Sequence, residues 1–264
     1  MADATKGPKI TLYWLEQSRA QRILWLLEEL HLTYTLKTFK RGHDMLAPKE
    51  LKDVHPLGKS PLLSIETPTP GSPGSKPLVL AESGLIMEYL CDHFGGSKLG
   101  LVPQRYVAGK EDQLGGETEE WMRYRYFMHY TEGSLMPFLV MQLVMDSIRN
   151  APVPFFIKPL TGMVASKVEQ AFVAPNLTSH FEFLEDQLKT APGGGPYLCG
   201  RELTAADIMM SFPVIAALGK MPGLRARYPT LAEYADRLQG MDGYKRAVAK
   251  VEEIDRSFTA YAKI

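Results

Sequence analysis

Residues 9–39, KITLYWLEQSRAQRILWLLEELHLTYTLKTF, decide the fold of the first part of this chain. The run Lys9–Trp14 is β-branched and aromatic, which is typical of a buried strand. Apolar residues then recur at spacings of three and four between Ile23 and Leu30, as on one face of a helix, and Thr33–Phe39 alternates like a second strand. A strand, a helix and a strand within about thirty residues predict a βαβ unit with a right-handed crossover and parallel strands.

The next elements are a short helical segment, a β-hairpin and a helix. Residues near Pro48–Val54 have a helical pattern, and Pro61–Ile65 and Leu78–Leu80 are apolar runs of strand type. The connection Glu66–Pro77 is rich in proline, glycine and serine, so it is predicted to be a surface loop. A further helix, Glu82–His93, carries its apolar residues on one face. The order βαβ-α-ββ-α is that of a thioredoxin-like domain.

After residue 97 the pattern changes, and the sequence shows no further strand. Residues 98–109 are predicted to be a linker, and residues 110–264 are predicted to form an all-helical domain. Pro137 is expected to kink or end the first helix of that domain. The fold class is therefore α/β plus all-α, with a thioredoxin-like domain over residues 1–97. The predicted helices of the second domain are Lys110–Met145, Ser166–Leu188, Thr204–Leu218, Thr230–Gln239 and Gly243–Val251.

The composition is that of a folded protein, and it excludes several classes of function. The 264 residues are 45% hydrophobic and 23% charged, and 30 basic side chains balance 30 acidic ones. A nucleic-acid-binding protein would carry a basic excess, so no nucleic-acid partner is predicted. The six histidines and two cysteines lack metal-ligand spacing, so no metal site is predicted.

The sequence predicts neither an integral membrane segment nor secretion. No stretch approaches the ~18 uncharged apolar residues of a membrane span, and residues 1–10 are polar where a secretory signal needs an apolar core. Cys91 and Cys199 form no CxxC pair, and a reducing compartment fits them best. We therefore expect a soluble, cytoplasmic protein.

A hydroxyl group stands at the head of the first helix. Ser18 precedes the apolar face of that helix and is followed by Arg19. One interpretation is a helix cap, in which the hydroxyl accepts a hydrogen bond from a free backbone N–H. The other is a ligand site, because a hydroxyl donor beside a cation and the positive end of a helix favours an anion such as a thiolate. The residues alone leave both interpretations open.

Further polar groups occur where strands begin or end. Ser60 precedes Pro61, which is either a simple strand-start proline or a cis proline that leaves the backbone of Ser60 free to pair with an extended peptide. The neighbouring Lys59 offers a cation for a carboxylate. Glu82 and Ser83 begin the next helix, where they either cap it or hold the ammonium and carboxylate of an amino acid.

Three motifs together resemble a known enzyme family. Residues 14–30 are WLEQSRAQRILWLLEEL, residues 55–63 are HPLGKSPLL and residues 80–90 are LAESGLIMEYL. They resemble the N-terminal domain of the cytosolic glutathione transferases, most closely a serine-containing branch found in fungi and bacteria. The helical half is similar to that family in its length and in residues 203–208, LTAADI, which match the family's capping segment.

The resemblance implies a site for glutathione as co-substrate, with no metal. It implies that Ser60, ahead of a cis proline, pairs its backbone with the cysteinyl part of the tripeptide, and that Ser18 donates a hydrogen bond to the thiolate. It further implies that Glu82 and Ser83 hold the γ-glutamyl end. In the same way, Lys59 would approach the glycine carboxylate.

The alternative thiolate donor is Tyr13, because many members of the family use a tyrosine near the end of the first strand. Tyr13 belongs to the predicted strand and is expected to be buried, so Ser18 is the preferred donor. A thiol has an ordinary pKa of about 8.5, and lowering it by two units takes about 2.7 kcal/mol. A charge-assisted hydrogen bond of about 1.5–3 kcal/mol and a helix end of about 0.3–1 kcal/mol supply that amount.

The resemblance implies a homodimeric transferase that conjugates glutathione with small hydrophobic electrophiles, and the same thiolate suits a peroxidase side activity. A different hypothesis is a non-catalytic binding or regulatory module with the same fold. A thiol oxidoreductase of the related type needs a cysteine at the head of the first helix, where Ser18 and Arg19 stand here. Residues 66–77 and 151–164 are longer than the family pattern, and we expect them to reshape the electrophile pocket or the dimer interface.

Overall fold

A mixed four-stranded sheet and a set of helices make up the part of the chain that the structure describes. The computed structural model describes residues 7–42, 44–66, 76–256 and 258. A short 3₁₀ helix, Lys49–Asp53, lies between the second and third strands. The other elements are β1 (Lys9–Leu15), α1 (Ala20–Glu29), β2 (Tyr34–Phe39), β3 (Leu62–Glu66), β4 (Leu78–Ala81), α2 (Ser83–His93), α3 (Glu119–Tyr130), α4 (Met136–Arg149), α5 (Lys158–Val168), α6 (Ala174–Lys189), α7 (Ala205–Lys220), α8 (Leu224–Arg227), α9 (Pro229–Gly240) and α10 (Asp242–Asp255).

The sheet has the strand order β2-β1-β3-β4. β1 and β2 pair in parallel register up to Leu15 opposite Phe39, so the predicted βαβ unit is confirmed. β3 pairs antiparallel with both β1 and β4, so the predicted hairpin is confirmed as well. The loop predicted over Glu66–Pro77 falls almost wholly on residues 67–75, which lie outside the described residues.

Helix α1 is buried more completely than the single apolar face of its sequence predicts. Eight consecutive residues from its start are buried, because it packs against β1, α2 and α10. Gln21 Nε2 donates to the hydroxyl of Tyr244 (2.9 Å), and the Trp25 ring lies edge-on to the same tyrosine with 5.2 Å between ring centroids. Gly243 permits the close approach of α10, because a Cβ there would lie 2.0 Å from the carboxylate of Glu29.

The described residues form two compact units. Residues up to 102 and from 239 onward form the first unit, which contains the sheet, α1, α2 and α10. Residues 103–238 form the second unit, which is helical. The sequence pattern groups α10 with the helical domain of residues 110–264, whereas the structure packs it on α1. Periodicity shows that a helix has an apolar face, but it carries no information about the surface that covers that face.

The predicted start of the first helix in the second unit is wrong. That helix, α3, begins at Glu119 rather than at Lys110. Turns occupy the preceding stretch, with Gly115 at a positive φ of 77°. Thr118 then caps α3, because its hydroxyl accepts a hydrogen bond from the backbone N–H of Trp121 (3.2 Å). Residues 110–118, which the prediction placed in this helix, therefore precede it.

The helix predicted from Ser166 starts earlier than expected. α5 already begins at Lys158, with Pro159 in its first turn, where the N–H that proline lacks has no helical partner to lose. Residues 151–164, which the sequence set apart as an unusual segment, therefore contain more than half of a helix.

Two prolines lie just after places where long helices widen. A π-helical turn, Thr131–Leu135, joins α3 to α4 two residues before Pro137, and a second one, Glu169–Val173, joins α5 to α6 two residues before Pro175. Proline removes one helical hydrogen bond and crowds the preceding turn, and a wider turn accommodates both effects. The disruption predicted at Pro137 thus takes the form of a π turn, and the helical path continues through it.

Candidate functional site at the sheet edge

Three chain segments come together at one edge of the sheet. The register places Leu62, the first residue of β3, opposite both Tyr13 of β1 and Ala81, the last residue of β4. The residues after β1, before β3 and after β4 therefore lie at the same edge. They include every residue that the sequence assigned to the site, namely Ser18, Lys59, Ser60, Glu82 and Ser83.

The hydroxyl of Ser18 lies in a small, buried hydrogen-bond network. Ser18 is 6% exposed; its hydroxyl donates to the carbonyl of Leu15 (2.7 Å) and accepts from the backbone N–H of Ala20 (3.2 Å). The same oxygen lies 3.1 Å from Oγ of Ser60. Helix α1 begins at Ala20 with Arg19 as its N-cap residue, so Ser18 stands one residue earlier and still satisfies a free N–H. The cap interpretation is correct in part, and the hydroxyl also reaches the segment ahead of β3.

The peptide bond between Ser60 and Pro61 is cis, as one of the two interpretations of the sequence expected. Pro61 is buried and Ser60 is half-buried, whereas Lys59 is exposed. Gly58 has a positive φ of 57°, and a Cβ there would lie 2.7 Å from Cγ of Lys52. The turn that leads into β3 therefore favours glycine at this position.

Glu82 connects β4 to α2 through a strained backbone conformation. Its φ is 72° and its ψ is 125°, a region that residues other than glycine rarely adopt and that costs on the order of 1–3 kcal/mol. The Glu82 side chain is exposed, whereas Ser83, the first residue of α2, is 4% exposed. Backbone strain of this kind is concentrated at ligand sites. The sequence does not predict the strained backbone at this position, because the residue is glutamate rather than glycine.

Sequence reasoning missed two residues at this edge. Arg41, after β2, donates to the carbonyls of Glu16 (3.2 Å) and Gln17 (3.2 Å), and these bonds fix the loop that carries Ser18. Gln17 has a positive φ of 50°, and its buried Oε1 has no hydrogen-bond partner among the described residues. The parallel pairing of β1 with β2 brings both strand ends together, and that pairing is the signal that points to Arg41.

Tyr13, the alternative donor, directs its hydroxyl away from this edge. It is half-buried beside Phe39, and its hydroxyl lies 3.3 Å from Oγ of Ser64. Ser64 lies two residues further into β3 than Leu62 and thus farther from Ser60. The burial expected for Tyr13 is only partial, but its hydroxyl has a partner on the strand.

Neither cysteine is suited to thiol chemistry. Cys91 and Cys199 are both free and buried. Burial raises the pKa of Cys91 to about 12 and that of Cys199 well above its usual value, so both thiols stay protonated near neutral pH. Within the described ranges, no three His, Cys, Asp or Glu side chains are grouped so as to hold a metal ion. A thiol oxidoreductase built on either cysteine is therefore disfavoured.

Comparison with known proteins identifies the family. Residues 18–93 match the N-terminal domain of glutathione S-transferases, and residues 151–246 match their C-terminal domain. The chain belongs to the glutathione S-transferase family. The N-terminal match begins at Ser18 and extends past Ser83. It therefore includes the segments before β3 and after β4 and, from the segment after β1, Ser18 and the start of α1.

A curated relative and solved structures agree with this assignment. Glutathione S-transferase 1 of Saccharomyces cerevisiae is 33% identical over 251 residues, which are 95% of this chain and 99% of that protein. A glutathione S-transferase from Actinobacillus pleuropneumoniae matches with a TM-score of 0.65 and 26% identity over 95% of this chain and 98% of its own. A glutathione transferase homologue from Lodderomyces elongisporus, solved with two glutathione molecules per subunit, shares the fold with a TM-score of 0.64 and 19% identity, over 90% of this chain and 97% of its own. This glutathione S-transferase thus has the predicted thioredoxin-like and helical domains.

Proposed function

We propose that this glutathione S-transferase binds glutathione along the sheet edge and holds its sulfur as a thiolate beside the hydroxyls of Ser18 and Ser60. The observation that carries the proposal is the 3.1 Å distance between these two hydroxyl oxygens, which joins the head of α1 to the cis-proline segment across 42 residues of sequence. A sulfur placed beside this pair would have two hydroxyl donors and the positive end of a helix near it, and all three favour the anion.

The magnitudes indicate that Ser18 needs a second donor. Its hydroxyl already donates to the carbonyl of Leu15, and a neutral hydrogen bond of this kind contributes about 0.5–1.5 kcal/mol. A hydrogen bond to a thiolate contributes about 1.5–3 kcal/mol, so turning the hydroxyl to the sulfur gains on the order of 1 kcal/mol. The helix end adds about 0.3–1 kcal/mol, whereas lowering the thiol pKa by two units takes about 2.7 kcal/mol. We assign the remainder to the hydroxyl of Ser60.

The two ends of the tripeptide are assigned to the other groups at the edge. Glu82 offers an exposed carboxylate to the γ-glutamyl ammonium, and Ser83 with the start of α2 offers donors to the γ-glutamyl carboxylate. Lys59 is exposed and supplies a cation for the glycine carboxylate. The strained backbone of Glu82 supports this assignment, because such strain is retained where a ligand makes use of it.

The proposed reaction is a nucleophilic displacement on a small, apolar electrophile. A lone pair of the thiolate forms a bond to the electrophilic carbon, and the leaving group departs with the electrons of the bond that breaks. The same thiolate would attack the terminal oxygen of an organic hydroperoxide, the O–O bond would break, and the alkoxide would leave and take up a proton to become the alcohol. The resulting sulfenic acid would condense with the thiol of a second glutathione to give the disulfide and water. We propose this as a side activity. We also propose a homodimer and membership of the serine-containing branch, which the resemblance implies, and a cytoplasmic location, which the sequence predicts.

The test combines glutathione affinity, measured by calorimetry, with conjugation of a generic aryl halide. Ser18→Ala and Ser60→Ala should each lower kcat/KM by about tenfold, which corresponds to about one pKa unit of lost thiolate stabilisation. The ultraviolet absorbance of the bound thiolate should fall in parallel at neutral pH. Ser97→Ala, at an exposed serine of the same unit, is the matched control and should leave rate and absorbance unchanged.

Three results would change the assignment. Binding of glutathione without turnover would favour the non-catalytic module. If the wild-type protein bound no glutathione, the assignment of the glutathione site to the sheet edge would be wrong. A full rate in Ser18→Ala together with a large loss in Tyr13→Phe would make Tyr13 the donor.

A further inference from the structure

Helix α5 buries a small residue and exposes its large apolar ones. Ala165 is fully buried, whereas Leu160, Met163, Val164 and Val168 are 59%, 57%, 51% and 37% exposed. The four exposed residues are spaced at i, i+3, i+4 and i+8, so they lie along one face of the helix. In a helix of a globular domain, an apolar face of this kind is normally turned to the core.

The exposed apolar surface continues beyond both ends of α5. Phe155 and Phe156, in the loop before it, are 84% and 69% exposed, and Phe172 after it is 48% exposed. Nine of the twenty large apolar side chains exposed among the described residues fall between Val140 and Phe172. This concentration exceeds the scattered exposure that is ordinary on a protein surface. What we call the α5 surface consists of Phe155, Phe156, Leu160, Met163, Val164 and Val168.

The stretch of sequence that carries the α5 surface has basic residues only, and it is flanked by the acidic residues Asp146 and Glu169. Residues 147–168 contain Arg149, Lys158 and Lys167 and no acidic residue, although the whole chain has equal numbers of basic and acidic residues. Arg149 is paired with acidic partners outside this stretch. Lys158 and Lys167 are exposed and form no ion pair with the residues that the structure describes. Lys167 lies on the same helix face as the exposed apolar residues, three positions after Val164.

We propose that the α5 surface is a membrane-association surface, which lies in the interfacial region of a bilayer that carries anionic lipids. The phenylalanine side chains of the loop before α5 and the aliphatic side chains on one face of α5 enter the boundary between headgroups and acyl chains. The long stems of Lys158 and Lys167 bring their ammonium groups to the headgroups. Because Lys158 and Lys167 form no ion pair with the described residues, their positive charges complement those of an anionic bilayer.

The same charges argue against a second copy of this chain as the occupant. A symmetric contact between two copies would place the same patch on both sides of the interface. It would bring the two lysines of one copy close to those of the other, and like charges in an interface cost affinity.

The association is peripheral. α5 has 11 residues and is therefore about 16 Å long, which is about half of the ~30 Å hydrocarbon core of a bilayer. Among the described residues, no helix is both long and apolar enough to span a membrane. The helix thus lies along the surface of the bilayer and does not cross it.

The experiment is flotation of the full-length protein with vesicles of phosphatidylcholine alone and of phosphatidylcholine with phosphatidylserine. The wild-type protein should float with the anionic vesicles and lose affinity as salt is raised. The double variant Phe155→Ser and Phe156→Ser should bind at least about tenfold more weakly. Removing the charges with Lys158→Gln and Lys167→Gln should weaken binding about fivefold for each cation.

Matched controls lie in the same unit. Leu114→Ser changes an apolar side chain that is fully exposed elsewhere, and Lys110→Gln changes an exposed lysine elsewhere; neither should alter flotation. Thermal unfolding of each variant checks that it is folded. These comparisons separate binding through the α5 surface from nonspecific adsorption to the vesicles.

Two results would overturn the proposal. One is a wild-type protein that binds neither kind of vesicle. If the phenylalanine variant then turns a dimer into a monomer, the surface is a dimer interface; if it lowers the conjugation rate, the surface is a wall of the electrophile pocket. The other is flotation that the phenylalanine and lysine variants leave unchanged. Because flotation requires no glutathione, the outcome does not depend on the proposed function of the sheet edge.

Discussion

The start of α7 and the sheet edge, where α1 and α2 begin, both carry polar side chains. They differ in how much of the hydrogen-bonding capacity of those side chains is used within the protein. At the start of α7, Asp207 is fully buried and accepts from the backbone N–H groups of Leu198 (3.0 Å) and Thr204 (2.9 Å), from the Thr204 hydroxyl (2.7 Å) and from the Tyr234 hydroxyl (2.9 Å). Each of its oxygens thus has two donors within the protein. Thr204 and Asp207, within the segment that resembles the family's capping segment, form a capping box here.

The sheet edge is built differently. Glu82 holds a strained backbone and an exposed carboxylate, and Gln17 has a buried oxygen without a partner among the described residues. The α7 start uses its polar groups to stabilise the fold, whereas the sheet edge keeps bonding capacity and strain that a ligand can use. The same residue types at a helix start can therefore serve folding or binding, and the number of bonds made within the chain distinguishes the two.

The largest effect is expected at the α7 start. Asp207→Ala leaves several buried donors without an acceptor, and each unsatisfied group costs about 1–3 kcal/mol, so the free energy of unfolding should fall by at least about 3 kcal/mol. Urea unfolding measures the change. Asp207→Asn, which keeps the shape and one acceptor oxygen, should lose less. A loss below about 1 kcal/mol in Asp207→Ala would show that the network does not hold this unit together.

Glu82→Gly tests whether the sheet edge trades stability for binding. Glycine adopts a positive φ without strain, so the variant should gain about 1 kcal/mol of stability after the added freedom of the unfolded chain is counted. The KM for glutathione should rise about tenfold, because the variant loses the carboxylate that we propose holds the γ-glutamyl ammonium. Thermal unfolding and steady-state kinetics give the two values.

Glu82→Gln is the matched control for this variant. It also loses the charge but keeps the strained backbone, so it should raise KM and leave stability unchanged. Equal stability in the glycine and glutamine variants would mean that Glu82 stores no strain.

The smallest effect is expected where α10 packs on α1. Tyr244→Phe removes the acceptor of the Gln21 amide and should cost about 1 kcal/mol in unfolding free energy. Tyr228→Phe provides a sharp contrast, because the buried hydroxyl of Tyr228 has no hydrogen-bond partner among the described residues and its removal should be neutral or stabilising. Equal losses in both variants would show that loss of the hydroxyl itself, and not of its hydrogen bond with Gln21, determines the cost.

Much of the fold was predictable because the signals are local. The periodicities of residues 9–39 predict the strands and the helix, and the hairpin and Glu82–His93 follow in the same way. The boundaries of the helices were less predictable: the helix predicted from Lys110 begins at Glu119, because turns precede the cap residue Thr118. The residue types at the sheet edge were visible in the sequence, but Arg41 was missed because its role depends on the pairing of two strands.

The sequence by itself determined the order of strands and helices and the polar residue types at Ser18, Ser60 and Glu82, because periodicity and residue chemistry act over a few neighbouring positions. Only the tertiary structure decided that the hydroxyls of Ser18 and Ser60 meet, that α10 covers α1, and that the apolar face of α5 is turned outward. Each of these depends on which distant segments pack against each other, and the local pattern of residues does not carry that information.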